Sequence, residues 1–308
     1  MLYHKINPDM LLIGISSLVL GPFVNNKFTY FAHQNKKQII AFQDYWANHR
    51  WPQNKEMMRY WNTILVPDEL AEKFFKEDAY RGKIIITGNP AFDTLRNLNI
   101  PAMRTKLRKK LNIREDEFVM LYAGTGTPQA WQEDEITFRF LANTLQDFFA
   151  YTPHAVFIPR SHPRDEVKNR YQKIAPRLPM YNPDHEKMSY TTDEVLLLAD
   201  CAISMYSTAL LRACFLKIPA LSILLPHAGR ARLKKIALDN FPPNTVGASI
   251  GIYKESPKEL IEVLSAIKND AGYRKKIIHA QSQFFSLDQT KKSAAESVTD
   301  AMESLTIK

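Results

Sequence analysis

Short β-branched apolar runs alternate with stretches of helical periodicity along most of this chain, the pattern of parallel βα units. In the first third, residues 10–16, 38–43, 62–66 and 83–87 read as strands. Residues 13–20 are apolar but carry Gly14, Ser16 and Ser17, which suits a buried strand and its exit loop. Residues 68–77 place Leu70, Phe74 and Phe75 on one face and predict a short helix. The turn Gly88-Asn89-Pro90 closes this block.

A basic helix over residues 96–111 leads into a second block. There, residues 118–124, 155–161, 180–182, 201–205 and 220–225 read as strands, and 135–151, 165–175, 192–199 and 207–217 as the helices between them. Five strands alternating with four helices predict a doubly wound parallel sheet. Further helices are expected at 256–269, 273–285 and 290–305, the last with Ala294, Val298, Ala301 and Met302 in one apolar stripe. The expected organisation is a lobe over residues 1–95, a second over 96–285, and a C-terminal helix in 286–308 that returns to the first lobe. The first lobe has only four strands. Its opening, Asn7-Pro8-Asp9 before an apolar strand, reads as the middle of a Rossmann lobe whose first βα units are missing.

Composition narrows the picture modestly. At 308 residues and 45% hydrophobic content, the chain can build two cores. No run approaches 18 apolar residues, so no membrane-spanning helix is expected. Cys201 and Cys214, the only cysteines, have no zinc-type spacing and read as buried free thiols, which implies a reducing, cytoplasmic setting. The net charge of +9 divides into +3 over residues 1–96 and +6 beyond. It forms no basic tail. That balance suits anionic small molecules or a membrane surface, or simply a solvated basic exterior; no nucleic-acid-binding motif accompanies it.

Three polar segments are predicted at the carboxyl edge of the second sheet, where helix N-termini present unpaired N–H groups to anions. Gly124-Thr125-Gly126-Thr127-Pro128 combines backbone freedom with hydroxyl donors. Arg160-Ser161-His162-Pro163 follows the next strand. Ser204-Met205-Tyr206-Ser207-Thr208 leads into a helix for which Ser207 is a natural N-cap. Taken singly, these also fit a plain turn, a structural histidine and an ordinary capped helix. Their convergence on one edge points to anion or nucleotide binding.

The run Ile86-Thr87-Gly88-Asn89-Pro90-Ala91-Phe92-Asp93 resembles the interlobe passage of GT-B proteins, in the group that contains UDP-N-acetylglucosamine 2-epimerases and polysaccharide and surface-carbohydrate glycosyltransferases. Ser161-His162-Pro163 and Ser207-Thr208-Ala209-Leu210-Leu211-Arg212-Ala213, ending at Ile218-Pro219, resemble that group's nucleotide-sugar motifs. Asp44-Tyr45-Trp46-Ala47-Asn48 resembles an aromatic loop in some members. The resemblance spans most of the chain. It implies an α/β protein of two Rossmann-like lobes, the N-terminal one incomplete. It also implies a glycosyltransferase that moves a sugar from a UDP- or CDP-linked donor to a cell-surface polysaccharide or glycolipid.

By this resemblance Gly124, Thr125, Gly126, Thr127, Ser207 and Thr208 would hold the donor diphosphate, with His162 beside them or near the base. Helix dipoles and basic side chains would neutralise it without a metal or other cofactor. Related proteins carry an acidic residue where this chain has Arg212, which cannot accept hydrogen bonds from ribose hydroxyls. Three outcomes are open for Arg212: it meets an anionic donor group, it meets a nearby carboxylate, or nucleotide binding has been lost. His4, His33, Asp44 and His49, with His162, are the candidates for catalytic acid–base work, and each also suits a solvated or structural role. The epimerases' His-Gly-Asp and Glu-Ala-Gly signatures are missing, so epimerisation is not expected. Two other readings remain: a non-catalytic or truncated nucleotide-sugar-binding protein, and a nucleotide-sugar hydrolase. The partners expected are a nucleotide sugar, a carbohydrate or lipid-linked acceptor, the inner membrane face as a peripheral contact, and a second copy in a homodimer.

Overall fold

The computed structural model describes residues 8–15, 20–125, 130–162, 165, 167, 169–183, 190–287 and 290–306, with backbone only at 20–23. The chain divides into two compact units. One comprises Met1–Arg96 with Lys235–Leu238 and Asp288–Lys308; the other comprises Asn97–Lys234 and Asp239–Leu287. Each carries its own parallel sheet.

In the first unit the strands are β1 (Met10–Ile15), β2 (Gln38–Gln43), β3 (Thr63–Val66) and β4 (Lys83–Ile86), in the order β1-β2-β3-β4. Between β1 and β2 lies helix α1 (Leu20–Gln34), which the sequence pattern does not predict. Gly21, Pro22, Asn25 and Asn26 mask it as loop, but Pro22 lies in the first turn, where no backbone N–H is needed. Helix α2 (Glu69–Glu77) starts at Asp68, whose side chain accepts from the Ala71 N–H at 2.8 Å. The helices α1 and α2 pack on β1–β2 and β3–β4.

A second layer comes from far along the chain. Helix α11 (Ala294–Thr306) lays Val298, Ala301, Met302 and Leu305 on Ile40, Phe42, Leu65 and Ile85. Its start is fixed by Asp93, which accepts from the N–H groups of Ala294 (3.0 Å) and Ala295 (2.9 Å). A carboxylate at that end suits both the unpaired amides and the helix dipole. Gly88 explains its own place in the motif. Its φ is +78°, and a Cβ there would stand 3.0 Å from that of Ala294.

The second unit holds β5 (Phe118–Ala123), β6 (Ala155–Arg160), β7 (Cys201–Ser204), β8 (Ala220–Ile223) and β9 (Ile250–Ile252), ordered β6-β5-β7-β8-β9 and parallel throughout. Besides the single turn Pro242–Thr245, its helices are α3 (Ile100–Lys110), α4 (Trp131–Tyr151), α5 (Arg170–Ile174), α6 (Thr192–Leu198), α7 (Thr208–Phe215), α8 (Gly229–Lys234), α9 (Pro257–Asn269) and α10 (Ala271–Phe284). Every residue of β5 is buried, as expected for an interior strand covered on both faces. Phe138, Leu141, Leu145 and Phe148 of α4 and Leu260 and Leu264 of α9 complete the core, each buried side chain contributing about 1.5–3 kcal/mol.

Two assignments in this unit are corrected. Residues 180–182 are not a strand. Tyr181 donates to Phe157 O at 2.8 Å, but Pro179 and Pro183 flank the segment and cannot extend a ladder. The fifth strand is instead β9, whose Ile-Gly-Ile run is too short to show by periodicity. The basic helix is also shorter than expected, because residues 90–95 form a separate 3-10 segment and Asn99 caps α3 by accepting from the Ala102 N–H.

Candidate functional site

Strand order alone locates a ligand crevice in the second unit. From β5 the chain crosses to β6 on one side and then to β7 on the other. The connection leaving β5 and the one leaving β7 for β8 therefore run in opposite directions, and a crevice opens at the carboxyl ends of β5 and β7. Gly124 and Thr125 follow β5 directly, and Ser207 and Thr208 follow β7. Ser204 Oγ donates to Ala123 O at 2.6 Å and Ser222 Oγ donates to Met205 O at 2.8 Å, tying the three strand ends together.

Ser207 is the N-cap of α7, its Oγ accepting from the Ala209 N–H at 3.2 Å, and Thr208 is exposed at the first helical position. The hydroxyl of Thr208 and the positive end of α7 therefore stand at the carboxyl edge where the crevice opens. Ser161 and His162, half-buried, follow β6 on the other side of β5. Gly126 and Thr127 lie outside the described residues.

Beneath the Gly124–Thr125 turn is a polar network that sequence reasoning missed. Asp134, fully buried in the first turn of α4, accepts from Tyr122 Oη and Tyr171 Oη, each at 2.8 Å, and from the Thr125 N–H at 3.2 Å. Arg170 Nη1 stands 3.4 Å away. Burial pushes the Asp134 carboxyl above its ordinary range, while the two tyrosine hydrogen bonds and Arg170 pull it back. Gly124 belongs to this network: a Cβ there would overlap the Tyr171 hydroxyl. The glycine's first role is thus to admit a tyrosine. The tyrosine partners of Asp134 lie 12 and 37 residues away in sequence, so no local pattern marks it.

Arg212 meets a carboxylate. Its Nη1 donates to both oxygens of Asp193, at 2.8 and 2.7 Å, joining α7 to the first turn of α6. The segment before β7 places the N-terminus of α6 on the same sheet edge as the crevice. Asp193 is 19 residues from Arg212, beyond any local spacing rule.

In the first unit, Asp44 and His49 follow β2 at its carboxyl end. Asp44 is exposed, its Oδ1 accepting from Asn48 Nδ2 at 2.9 Å while its backbone carbonyl accepts from Asn89 Nδ2 at 3.0 Å. His33 is exposed in the last turn of α1, which puts it at the opposite, amino edge of the sheet. His4 lies outside the described residues.

His49 is part of the core. It is 1% exposed and stacked on Phe75 at 3.8 Å, with Nδ1 2.9 Å from Gln43 Oε1 and Nε2 2.7 Å from Asp78 Oδ2. Burial outweighs the Asp78 carboxylate and holds its pKa down to about 4. Between the unperturbed value near 6.5 and 4, the unfolded chain therefore takes up a proton that the folded chain refuses. Stability from this group is present above pH 6.5 and is lost as pH falls through 4, by up to about 3 kcal/mol. Urea unfolding from pH 7 to pH 4 should show this slope, and His49→Phe should flatten it; an unchanged slope in the variant would assign the acid sensitivity elsewhere.

Two parallel α/β sheets, one with hydroxyls and a helix N-terminus at its switch point, define a GT-B-like protein. The chain belongs to the CDP-glycerol:poly(glycerophosphate) glycerophosphotransferase family, whose model matches residues 31–303. Among solved structures, it is similar to UDP-GlcNAc 2-epimerase from Neisseria meningitidis bound to UDP-GlcNAc, with a TM-score of 0.67 at 14% identity over 99% of this chain and 78% of that one. It is also similar to the wall teichoic acid polymerase TagF, with a TM-score of 0.55 at 18% identity over 96% and 73%. The S. aureus MnaA–UDP structure matches at a TM-score of 0.60 and 11% identity, over 91% and 72%. At these identities the structures show the fold. A search of curated proteins by sequence finds no significant match. Family membership sets the function class as nucleotide-activated transfer to a polymer. Among the described residues, no helix is long and apolar enough to cross a membrane.

Proposed function

We propose that this chain transfers glycerol phosphate from CDP-glycerol to the hydroxyl end of a cell-surface polymer, using the crevice between β5 and β7 to hold the donor. The observation that carries this reading is the family match over residues 31–303, together with a hydroxyl-lined helix N-terminus at the switch point inside that span. Ser207, Thr208, Thr125 and the Gly124 turn bind the diphosphate, joined by Gly126 and Thr127, the next two residues in sequence. His162 faces the donor from the β6 side. Arg212 acts through Asp193, whose carboxylate supplies the acceptor that arginine cannot.

In this reaction an acceptor hydroxyl oxygen attacks the phosphorus that bears glycerol. A new phosphodiester bond forms as the bond from that phosphorus to the bridging anhydride oxygen breaks, and CMP leaves with the electron pair. The hydroxyl proton passes to a base, for which Asp44 and His162 are the candidates; His49 is excluded from this role by its burial and its stack on Phe75. Donors fixed at the helix end stabilise the charge that develops on the leaving phosphate. No resident metal or cofactor is required. The acceptor sits on a lipid-linked or carbohydrate chain, so the enzyme works at the inner membrane face as a peripheral protein, and a homodimer is compatible with that placement.

The test is calorimetric titration with CDP-glycerol and an assay of CMP release in the presence of a glycerol phosphate polymer. Binding and acceptor-dependent CMP release are expected. Thr208→Val should weaken donor binding by about 1–3 kcal/mol, through loss of one hydrogen bond to a charged group. CMP release without acceptor would identify a hydrolase, and binding without turnover a non-catalytic binder. Absence of binding by a folded protein overturns the reading.

A further inference from the structure

Several arginines of the second unit are committed to carboxylates. Arg212 pairs with Asp193, Arg104 and Arg108 pair with Asp200, and Arg170 stands against Asp134 and Asp165. Arg230 is different. Its Nε is enclosed by protein yet meets no acceptor, and among the described residues no carboxylate pairs with its guanidinium. The residue as a whole is half-buried, so the fold holds a partly desolvated cation with nothing of its own to balance it. Taking a charge out of water without a counterion is unfavourable, and an enclosed donor left unpaired calls for a partner that arrives with a ligand.

Its position follows from the turn that leaves β8. Gly229 opens α8 hard against the strand end, where a Cβ would stand 3.0 Å from Leu224 Cδ2 and 3.1 Å from Ile223 O. From there α8 packs on α4, and Arg232 donates to the hydroxyl of Tyr206, the residue immediately before the Ser207 cap. Arg230 therefore lies at the carboxyl edge of the sheet, two residues from an anchor beside the start of α7. On the same edge, Thr125 Oγ1 at the exit of β5 is likewise enclosed without a hydrogen-bond partner. Two donors, one leaving β5 and one leaving β8, thus stand where the crevice opens with no acceptor from the protein.

The strand order β6-β5-β7-β8 separates the two ends of the donor. In the transfer reading, His162 faces the donor from the β6 side and the Arg212–Asp193 pair meets the ribose. A diphosphate that starts there and crosses the end of α7 brings its second phosphate, the one bearing glycerol, towards β8. From this placement we infer that Arg230 determines which donor is accepted, by pairing with the glycerol-bearing phosphate. A guanidinium offers two parallel N–H donors to two phosphate oxygens. It also lowers the negative charge that the incoming hydroxyl oxygen meets at the phosphorus under attack. The inference rests on the proposed transfer reaction for the identity of the donor.

The experiment titrates the full-length protein calorimetrically with CDP-glycerol, CDP and CMP, and follows urea unfolding of each variant. Arg230→Met should weaken CDP-glycerol and CDP by roughly tenfold to a hundredfold, the range for a hydrogen bond to a charged group. CMP has only the nucleoside-side phosphate and should bind variant and parent alike. The urea midpoint should not fall, because the guanidinium gives up no protein partner; a merely structural arginine would lower it and weaken all three ligands together. Arg230→Lys keeps the charge without the fork and should recover part of the loss. Equal CDP-glycerol affinity in Arg230→Met and the parent overturns the assignment and leaves the transfer reading standing, as does an equal loss for CDP-glycerol and CMP. If the parent binds neither CDP-glycerol nor CDP, both fall.

Discussion

Replacing Asp134 by leucine is expected to destabilise the second unit by about 3–5 kcal/mol, the cost of removing one partner from a buried charge pair. The carboxylate is the common acceptor for Tyr122, Tyr171 and the Thr125 N–H, with Arg170 alongside. Leucine fills similar space but accepts nothing. Two tyrosine hydroxyls lose their acceptor where water does not reach, and the Arg170 charge loses its nearest buried counterion. In a unit of this size, scanning calorimetry should record a fall of roughly 10 °C in Tm. Asp134→Asn keeps a carbonyl acceptor and should lose less. A leucine penalty below about 1 kcal/mol would show that the network contributes no more than an average side chain.

Arg108 carries a comparable expectation at the other edge of the same sheet. It is 1% exposed, and its guanidinium donates to Leu198 O at 2.7 Å, Glu117 O at 3.2 Å and Asp200 Oδ2 at 2.8 Å. One side chain thus satisfies carbonyls from the end of α6 and the turn before β5. Arg108→Met should cost about 3–5 kcal/mol in urea unfolding, since those acceptors stay buried without donors. Asp200 is cushioned, because Arg104 and the Val119 N–H also donate to it. The sharper variant is Arg108→Lys. An ammonium keeps the charge but cannot span acceptors on separate segments, so lysine should recover less than half of the loss. Full rescue by lysine would mean that charge alone matters there.

The interior strands were legible because their residues face apolar surroundings on both sides, so short runs such as Thr-Ile-Leu-Val in β3 need no alternation to be recognised. The Ser207 cap was legible for a different reason: it bonds to the Ala209 amide two residues away, within the reach of a local rule. Helix α1 was hidden by residues that disfavour helices on average, and β9 by its brevity. The site divides along the same line. Ser207 and Thr208 could be placed from sequence, but Asp134 and Asp193 could not, because their partners stand 12 to 37 residues away. His49 shows the converse: ionisable chemistry was visible, while the Phe75 stack that places it in the core was not.

The Arg212–Asp193 pair also changes how charge reversal at Arg212 must be read. Arg212→Glu would set two carboxylates side by side, so lost binding in that variant would report repulsion within the protein as readily as a lost ligand contact. Arg212→Met removes the guanidinium alone and is the cleaner substitution.

The layer that α11 lays on the first sheet has a consequence for synthesis. Ile40, Phe42, Leu65 and Ile85 emerge from the ribosome more than 200 residues before Val298, Ala301 and Met302 reach them. Through that interval the nascent first unit carries an uncovered apolar sheet face, whereas nearly all of the second unit's contacts are already available to it. The order of completion is therefore the reverse of the order of translation, and the half-built first unit is the part of the nascent chain that a chaperone would find exposed.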